Sequence, residues 1–291
     1  MNRIFTIIVI CLLLLIGCQK ENITGITNFQ FEVMATLPSE LDEGSGIEIT
    51  DNTLWSFNDN SGKERLYQFD HEGRLLKELK IDVQKTDWED IAQDESGNLY
   101  LGEFGNNDND RRDLKIYKLS ADNLTATSKV KPATINFSLE DQTQFPPADD
   151  QQHFDIEGMF ALDNHLYLLT KDRSKPFVGK TKLYQLSNQA GTHTAILLDE
   201  FKTDSKKARG AITAADISPS KNKIALLSNR AIWVFTNFSG TAFFNGEVSR
   251  FNLPVERQME GLVFSDDCTL LLINEGKSNQ TGELYQVSIC N

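Results

Sequence analysis

The chain has 291 residues, with 29 Lys and Arg against 42 Asp and Glu, a formal net charge of -13. That balance argues against nucleic acid and against adhesion to anionic lipid surfaces, both of which select basic faces. Apolar residues make up 40% of the chain, an ordinary share for a protein with a folded core.

Arg3 precedes an almost unbroken apolar run from Ile4 to Ile16. The run is too short for a comfortable membrane-spanning helix, which needs about 20 apolar residues. It ends in Leu15-Ile16-Gly17-Cys18, which resembles the lipobox of bacterial lipoproteins. The resemblance implies cleavage before Cys18 and a lipid on its thiol and new amine, with an ordinary signal peptide and a chance cysteine as the alternative. Residues 1–17 then form a signal peptide, 18–28 a tether, and 29–291 a single folded domain. The expected location is the bacterial cell envelope, periplasmic or surface-exposed, with a membrane reached through lipid and the protein itself a monomer.

One strand pattern recurs five times. An acidic or small residue and a Gly-like residue open an apolar strand; a second strand follows, then a third of the form Leu/Ile-Tyr-x-apolar. The clearest copy is Asp155-Ile156-Glu157-Gly158-Met159-Phe160, Leu166-Tyr167-Leu168-Leu169 and Leu183-Tyr184-Gln185-Leu186. The other copies open at Ser45-Gly46, Glu89-Asp90, Ala214-Ala215 and Glu260-Gly261. From the Gly-like residue to the second strand the offset is eight or nine residues in every copy. β-Branched and aromatic residues dominate, and no stretch sustains a helical period. Further apolar strands at 75–81, 133–139, 195–201 and 248–253 bring the unit to four strands, the composition of a propeller blade. The reading is an all-β, five-bladed β-propeller in which a strand at 29–37 completes the last blade and removes two exposed edges. A sixth, degenerate blade within 120–152 is the alternative, against which Pro132, Pro146 and Pro147 argue.

Cys11 leaves with the signal and Cys18 carries lipid, which leaves Cys268 and Cys290 in a compartment where disulfides persist. A hairpin pairing Leu272 with Tyr285 brings them almost opposite each other, so a disulfide clamping the last blade is expected. No Cys or His set has zinc spacing. The loop Gly105–Asp113 lacks the central glycine and final glutamate of an EF-hand. Gly179-Lys180-Thr181 and Gly276-Lys277-Ser278 end like a P-loop without its first glycine. Four histidines give little material for a triad.

Strand direction places the starts of first strands and the ends of second strands at one end of the ring. The starts supply Glu43, Glu89, Asp90, Glu157 and Glu260. The ends supply Asn58, Asp59, Glu103, Lys171, Asp172, Arg173, Asn229, Arg230, Asn274 and Glu275. Carboxylates crowded this way repel unless a cation sits among them, and oxygen-only donors suit a hard ion. Glu89, Glu157, Glu260, Asp172 and Glu275 are the candidate metal ligands, for Ca2+ or Mg2+. Lys171, Arg173, Arg230 and Asn229 are candidates for a small polar or anionic ligand, unless they merely neutralise acidic neighbours. The blade-opening acids have an alternative role as caps for backbone amides.

The segments Asp87-Trp88-Glu89-Asp90-Ile91-Ala92, Gly102-Glu103-Phe104-Gly105-Asn106-Asn107 and Asp155-Ile156-Glu157-Gly158-Met159 resemble exported bacterial lipoprotein propellers of uncharacterised function. More distantly they are similar to the esterase-like phytase and SdiA-regulated propellers. The resemblance spans roughly Glu43 to Val287 and implies calcium at Glu89, Glu157 and Glu260; Ala214 departs from it where an acid is expected. Metal-assisted hydrolysis of a phosphate or carboxylic ester, with Glu157 or Glu103 as base, is the expected chemistry if the chain is an enzyme. The rival is a non-catalytic binding or scaffold lipoprotein contacting a protein or glycan through its loops.

Overall fold

Alternating side chains give each repeat copy two apolar faces, and the chain buries both by setting one copy against the next. In the computed structural model, which describes residues 23–59, 63–276 and 281–290, five four-stranded antiparallel units follow one another. Blade 1 is Gly44–Thr50, Thr53–Asn58, Arg65–Phe69 and Leu75–Lys80. Blade 2 is Trp88–Gln93, Leu99–Glu103, Lys115–Leu119 and Ala133–Leu139. Blade 3 is Asp155–Leu162, His165–Lys171, Lys180–Ser187 and Gly191–Lys202. Blade 4 is Ile212–Ile217, Lys223–Ser228, Ala231–Thr236 and Glu247–Asn252. Blade 5 takes Met259–Asp266, Thr269–Asn274 and Glu283–Ser288 from the C-terminal end, and its fourth strand, Phe31–Thr36, from the other. Glu32 pairs with Gln286 and Val33 with Tyr285, antiparallel, so the expected closing strand is in place.

The packing closes the ring. Five apolar clusters are present, and each lies between consecutive blades, the fifth joining blade 5 back to blade 1 through Val263 and Ile273 against Ile47 and Leu54. Blade 3 shows the period-2 logic. Leu166 and Leu168 face blade 2, whereas Tyr167 and Leu169 face blade 4. Trp55, Trp88 and Trp233 are all fully buried in these interfaces. Removing a large apolar side chain from water contributes roughly 1.5–3 kcal/mol each, so the interfaces dominate stability.

Two features were not anticipated. The outer strands of blades 2 and 3 pair parallel, from Ile135 with Gly191 to Leu139 with Ala195, which merges them into one eight-stranded sheet. Gly25–Ile26, expected to be part of a free tether, pair parallel with Arg250 and Phe251 at the edge of blade 4. Both devices cover strand edges that would otherwise invite intermolecular pairing. Residues 120–152 hold a short helix, Ala121–Leu124, the fourth strand of blade 2 and a 3-10 turn, Asp149–Gln151, and so no sixth blade. The expected signal peptide and Cys18 lie outside the described residues.

Cys268 and Cys290 are bonded, with Cα atoms 5.1 Å apart. Leu272 pairs with Tyr285, as the hairpin argument required. The bond ties the last residues to the blade that must stay shut for the ring to hold. Closing a loop of this length restricts the unfolded chain by roughly 3 kcal/mol. Replacing both cysteines by serine is expected to lower unfolding stability by about that amount, measured by urea denaturation; an unchanged midpoint would show that the bond does not hold the blade.

Candidate functional site

Every first strand carries a bulge near its start, and that of blade 5 has a second register shift between Phe264 and Asp266. A bulge sets one extra residue against the partner strand and re-aims its side chain. In blades 3 and 5 the extra residues are Glu157 and Glu260. In blade 2, Glu89 and Asp90 stand together between the pairs Trp88–Glu103 and Ile91–Leu101. Blade 4 puts Thr213 at this position, so the departure from the repeat is at Thr213 rather than Ala214. Blade 1 has Gly46 and Ile47 there. The bulges turn the acids of blades 2, 3 and 5 into the mouth of the central channel.

That mouth is a cavity of about 300 Å³ lined by Glu43, Asp59, Glu89, Asn107, Glu157, Lys171, Arg173, Gln258, Glu260 and Glu275. Six carboxylates face two cations. A wider depression of about 860 Å³ lies at the outer wall, around Phe201, Phe244 and Val248, without such convergence. Within the mouth, Lys171 Nζ lies 2.9 Å and Arg173 Nη2 2.8 Å from the same oxygen, Glu157 Oε1. Arg173 Nε also donates to Asp155 at 2.5 Å, and the Asn106 N–H donates to the other Asp155 oxygen at 2.6 Å.

Most of the predicted residues meet here: Glu43, Asp59, Glu89, Glu157, Lys171, Arg173, Glu260 and Glu275. Others stand elsewhere and correct the expectation. Glu103 is fully buried and accepts the Thr86 and Asp87 N–H groups at 2.7 and 3.1 Å, with Arg111 at 2.9 Å, so its oxygens are engaged in structure. Asp172 accepts four backbone N–H groups, from Ser174, Val178, Gly179 and Lys180, and lies 3.0 Å from His153 Nδ1. It organises a loop and does not reach the cavity. Arg230 pairs with Glu256 at the exposed rim, and Asn229 is likewise outside the lining. Asp90 crosses the channel to accept the Met159 and Ala215 N–H groups at 2.7 and 3.4 Å, a structural link from blade 2 to blades 3 and 4.

Asp87, Asp155, Asn107 and Gln258 were missed. Three of them had a positional signal: Asp87, Asp155 and Gln258 each stand two residues before a bulged Glu. Asn107 comes from the loop 105–113, which is latched to blade 3 where Phe154 N–H donates to Asn109 at 2.8 Å.

The crowding shifts the carboxyl groups. Burial, then Glu157, Asp155, Asp87 and Asp59 in turn, push Glu89 well above the ordinary carboxylate range. Burial raises Glu157 well above it although Lys171 opposes the shift, and it raises Glu260 and Asp87 as well. Burial and the charge of Glu260 push Glu275 up to about 7. Burial works against the charge of Lys171, but Glu157 and Glu260 outweigh it and hold the ammonium above its usual range. Asp172 runs the other way: despite burial, the hydrogen bonds from His153 and Ser174 keep it far below its ordinary value.

All donors in the mouth are oxygens apart from the two cations and two amides, and no Cys or His lines it. One oxygen from each of Asp59, Asp87 and Glu89, and likewise of Glu89, Asp155 and Glu157, lies within 4.8 Å of the others. Such donor sets fit a hard cation.

No family model and no curated protein matches the chain in sequence. Solved structures match its fold. The PQQ-bound aldose sugar dehydrogenase of Streptomyces coelicolor aligns over 91% of this chain and 99% of its own, at 9% identity and a TM-score of 0.52. A virginiamycin B lyase from Staphylococcus aureus covers 88% of this chain and 69% of its own, at 14% identity and a TM-score of 0.43. A gluconolactonase from Xanthomonas campestris covers 84% and 71%, at 11% identity and a TM-score of 0.45. At these identities the likeness speaks for fold alone. The chain is an all-β protein of the propeller class. The narrower resemblance, to the exported lipoprotein group and to phytase-like or SdiA-regulated propellers, has no family match behind it.

The raised carboxyls have a consequence for stability. A group whose folded pKa is raised binds more protons folded than unfolded. Its contribution is complete below the unfolded value of about 4 and is lost as pH climbs through the folded value. For Glu275 that upper limit is about 7. Asp172 has the opposite sign and matters only in acid. The chelator-treated protein is therefore expected to show a lower urea midpoint at about pH 8 than at about pH 5. A flat or rising profile over that window would contradict the crowding.

Proposed function

We propose that this chain is an exported, lipid-anchored propeller, held at a membrane of the bacterial envelope through Cys18, that binds a divalent cation at the acidic mouth. The observation that carries the reading is Glu89. It is 6% exposed, and among the described residues no hydrogen bond or ion pair reaches its carboxylate, while its strongest electrostatic neighbours are acids. A buried carboxylate in that position needs a proton or a cation. Calcium or magnesium suits the donor set.

The reaction class that fits is hydrolysis of a phosphate or carboxylic ester. A bound cation there supplies Lewis acidity and a water of lowered pKa. The chain's own part is to position: Lys171 and Arg173 fix one oxygen of Glu157, the cavity carboxylate proposed to accept a proton as general base, and Asn107 and Gln258 offer amides to a polar ligand. A second reading has its own support. Lys171 and Arg173, expected to take an anionic ligand, already donate to Glu157 and Asp155. That lattice favours a binding or scaffold role in which the mouth holds a cation without chemistry.

Metal analysis of the purified protein and a panel of nitrophenyl phosphates and acyl esters separate these readings. The hydrolytic reading expects bound calcium or magnesium and turnover that falls at least about a hundredfold in Glu157→Gln, the usual scale for losing a general base. Bound metal with no turnover selects the non-catalytic reading. Protein free of metal that gains no stability from calcium or magnesium removes both.

A further inference from the structure

The chain is fastened to the ring from Ile23 onward. Gly25 and Ile26 pair with Arg250 and Phe251, and Phe29 meets Phe251 edge-on with ring centroids 5.4 Å apart. Ile23 packs with Phe244 and Val248 against the cluster between blades 3 and 4. A Cβ on Gly25 would lie 2.0 Å from Asn252 Nδ2, so the strand sits closely on the blade 4 edge. Between Ile23 and Cys18 stand only Gln19, Lys20, Glu21 and Asn22. Whatever path they take, the leash from Ile23 to Cys18 reaches no further than about 18 Å.

Register decides where that leash begins. The mouth end of blade 4 is where Ser228 pairs with Ile212 and Ala231, and Ala231 with Asn252. The opposite end holds Lys223 paired with Thr236, and Thr236 with Glu247. Because the pairing with Arg250 and Phe251 is parallel, the chain traced back from Gly25 heads toward Glu247, away from the mouth. The neighbours of Ile23 agree. It shares the depression in the outer wall with Asn237, Asn245 and Gly246. Asn237 also borders a hollow with Asp163 and Lys221, which lie in the turns between first and second strands of blades 3 and 4, at the far end of the channel. At about 3.3 Å per residue, Asp155–Leu162 runs roughly 25 Å along that channel. The leash is shorter.

This wall also exposes apolar side chains. Ile26 is 37% and Ile196 44% exposed. Ile196 pairs with Gln185, itself paired with Tyr167, whose side chain faces blade 4, so Ile196 stands on the blade 4 side of blade 3.

We infer that the partner of this wall is a lipid bilayer: the outer wall of blades 3 and 4, at the end remote from the mouth, is held against the membrane, and the acidic mouth opens into the water beyond. The inference rests on the proposal of a lipid on Cys18 and adds which way the ring is held. The leash, not charge, sets the contact, in keeping with the acidic balance of the chain. It also narrows the ligand: the mouth draws from solution, so the ester it suits is that of a dissolved molecule and not of a membrane phospholipid.

The test uses the full, lipidated chain in vesicles of phosphatidylethanolamine and phosphatidylglycerol that carry an energy-transfer acceptor on the headgroup. A donor dye goes on one added thiol, by Thr241→Cys in the far-end loop or by Asp108→Cys in the loop beside the mouth, both exposed positions. Cys268 and Cys290 are bonded to each other and take no dye. Transfer from position 241 is expected to exceed that from position 108 at least about twofold, given a leash of about 18 Å. Ile23→Asp combined with Gly25→Val, which strips the tether from blade 4, is expected to bring the two signals together. Equal transfer from both positions, stronger transfer from position 108, or a difference that survives the Ile23→Asp, Gly25→Val pair overturns the orientation and leaves the lipid anchor in place. Protein that does not float with the vesicles overturns the anchor and the orientation together.

Discussion

One extra residue in each innermost strand decides what this ring can do. In an unbroken strand, alternation would send successive side chains into the two flanking blade interfaces, where the five apolar clusters leave no room for charge. The bulges lift Glu89, Glu157 and Glu260 out of that alternation and turn them toward the axis. The same distortion frees amides near the bulge, and Asp90 takes two of them across the channel at Met159 and Ala215. Site and scaffold are therefore consequences of a single backbone irregularity repeated around the ring.

Gathering carboxylates in a largely buried cavity is costly, and the molecule meets the cost in two ways. Lys171 and Arg173 are drawn inward from the end of the second strand of blade 3 and neutralise Glu157 and Asp155. Backbone amides, with Arg111 and His153 beside them, engage Glu103 and Asp172, which keeps both out of the mouth. What remains is the blade 1–blade 2 side, where Glu89 and Asp87 lack comparable partners. The asymmetry follows from sequence: blade 4 offers Thr213 and blade 1 offers glycine at the bulge, so the ring never carries five equivalent acids.

The blade units were readable because their interfaces are built from alternating Leu, Tyr and Ile residues, a pattern that survives without any knowledge of contacts. The closing strand and the cysteine pair followed from the same register. The location of the mouth was readable too, since strand direction alone puts Glu157 and Lys171 at one end. Hydrogen-bond partners were not, because they join residues far apart in the chain. Nothing local distinguishes Glu103, which is capped by Thr86 and Asp87, from Glu89, which is not. The parallel pairing of Ile135–Leu139 with Gly191–Ala195 depends on how two finished blades meet, and the shift from Ala214 to Thr213 depends on a bulge invisible in composition. Asp87 and Asp155 stand two residues before Glu89 and Glu157, outside the repeated blade-opening pair.

The account stands on the claim that the acids at the mouth are arranged around a cation rather than around each other. The direct observation is a crystal grown or soaked with manganese, an ion of oxygen-preferring chemistry with a usable anomalous signal. A single strong anomalous peak within bonding distance of the Glu89 carboxylate is the expected result. A mouth with no peak, its carboxylates turned toward protein donors, would contradict the claim.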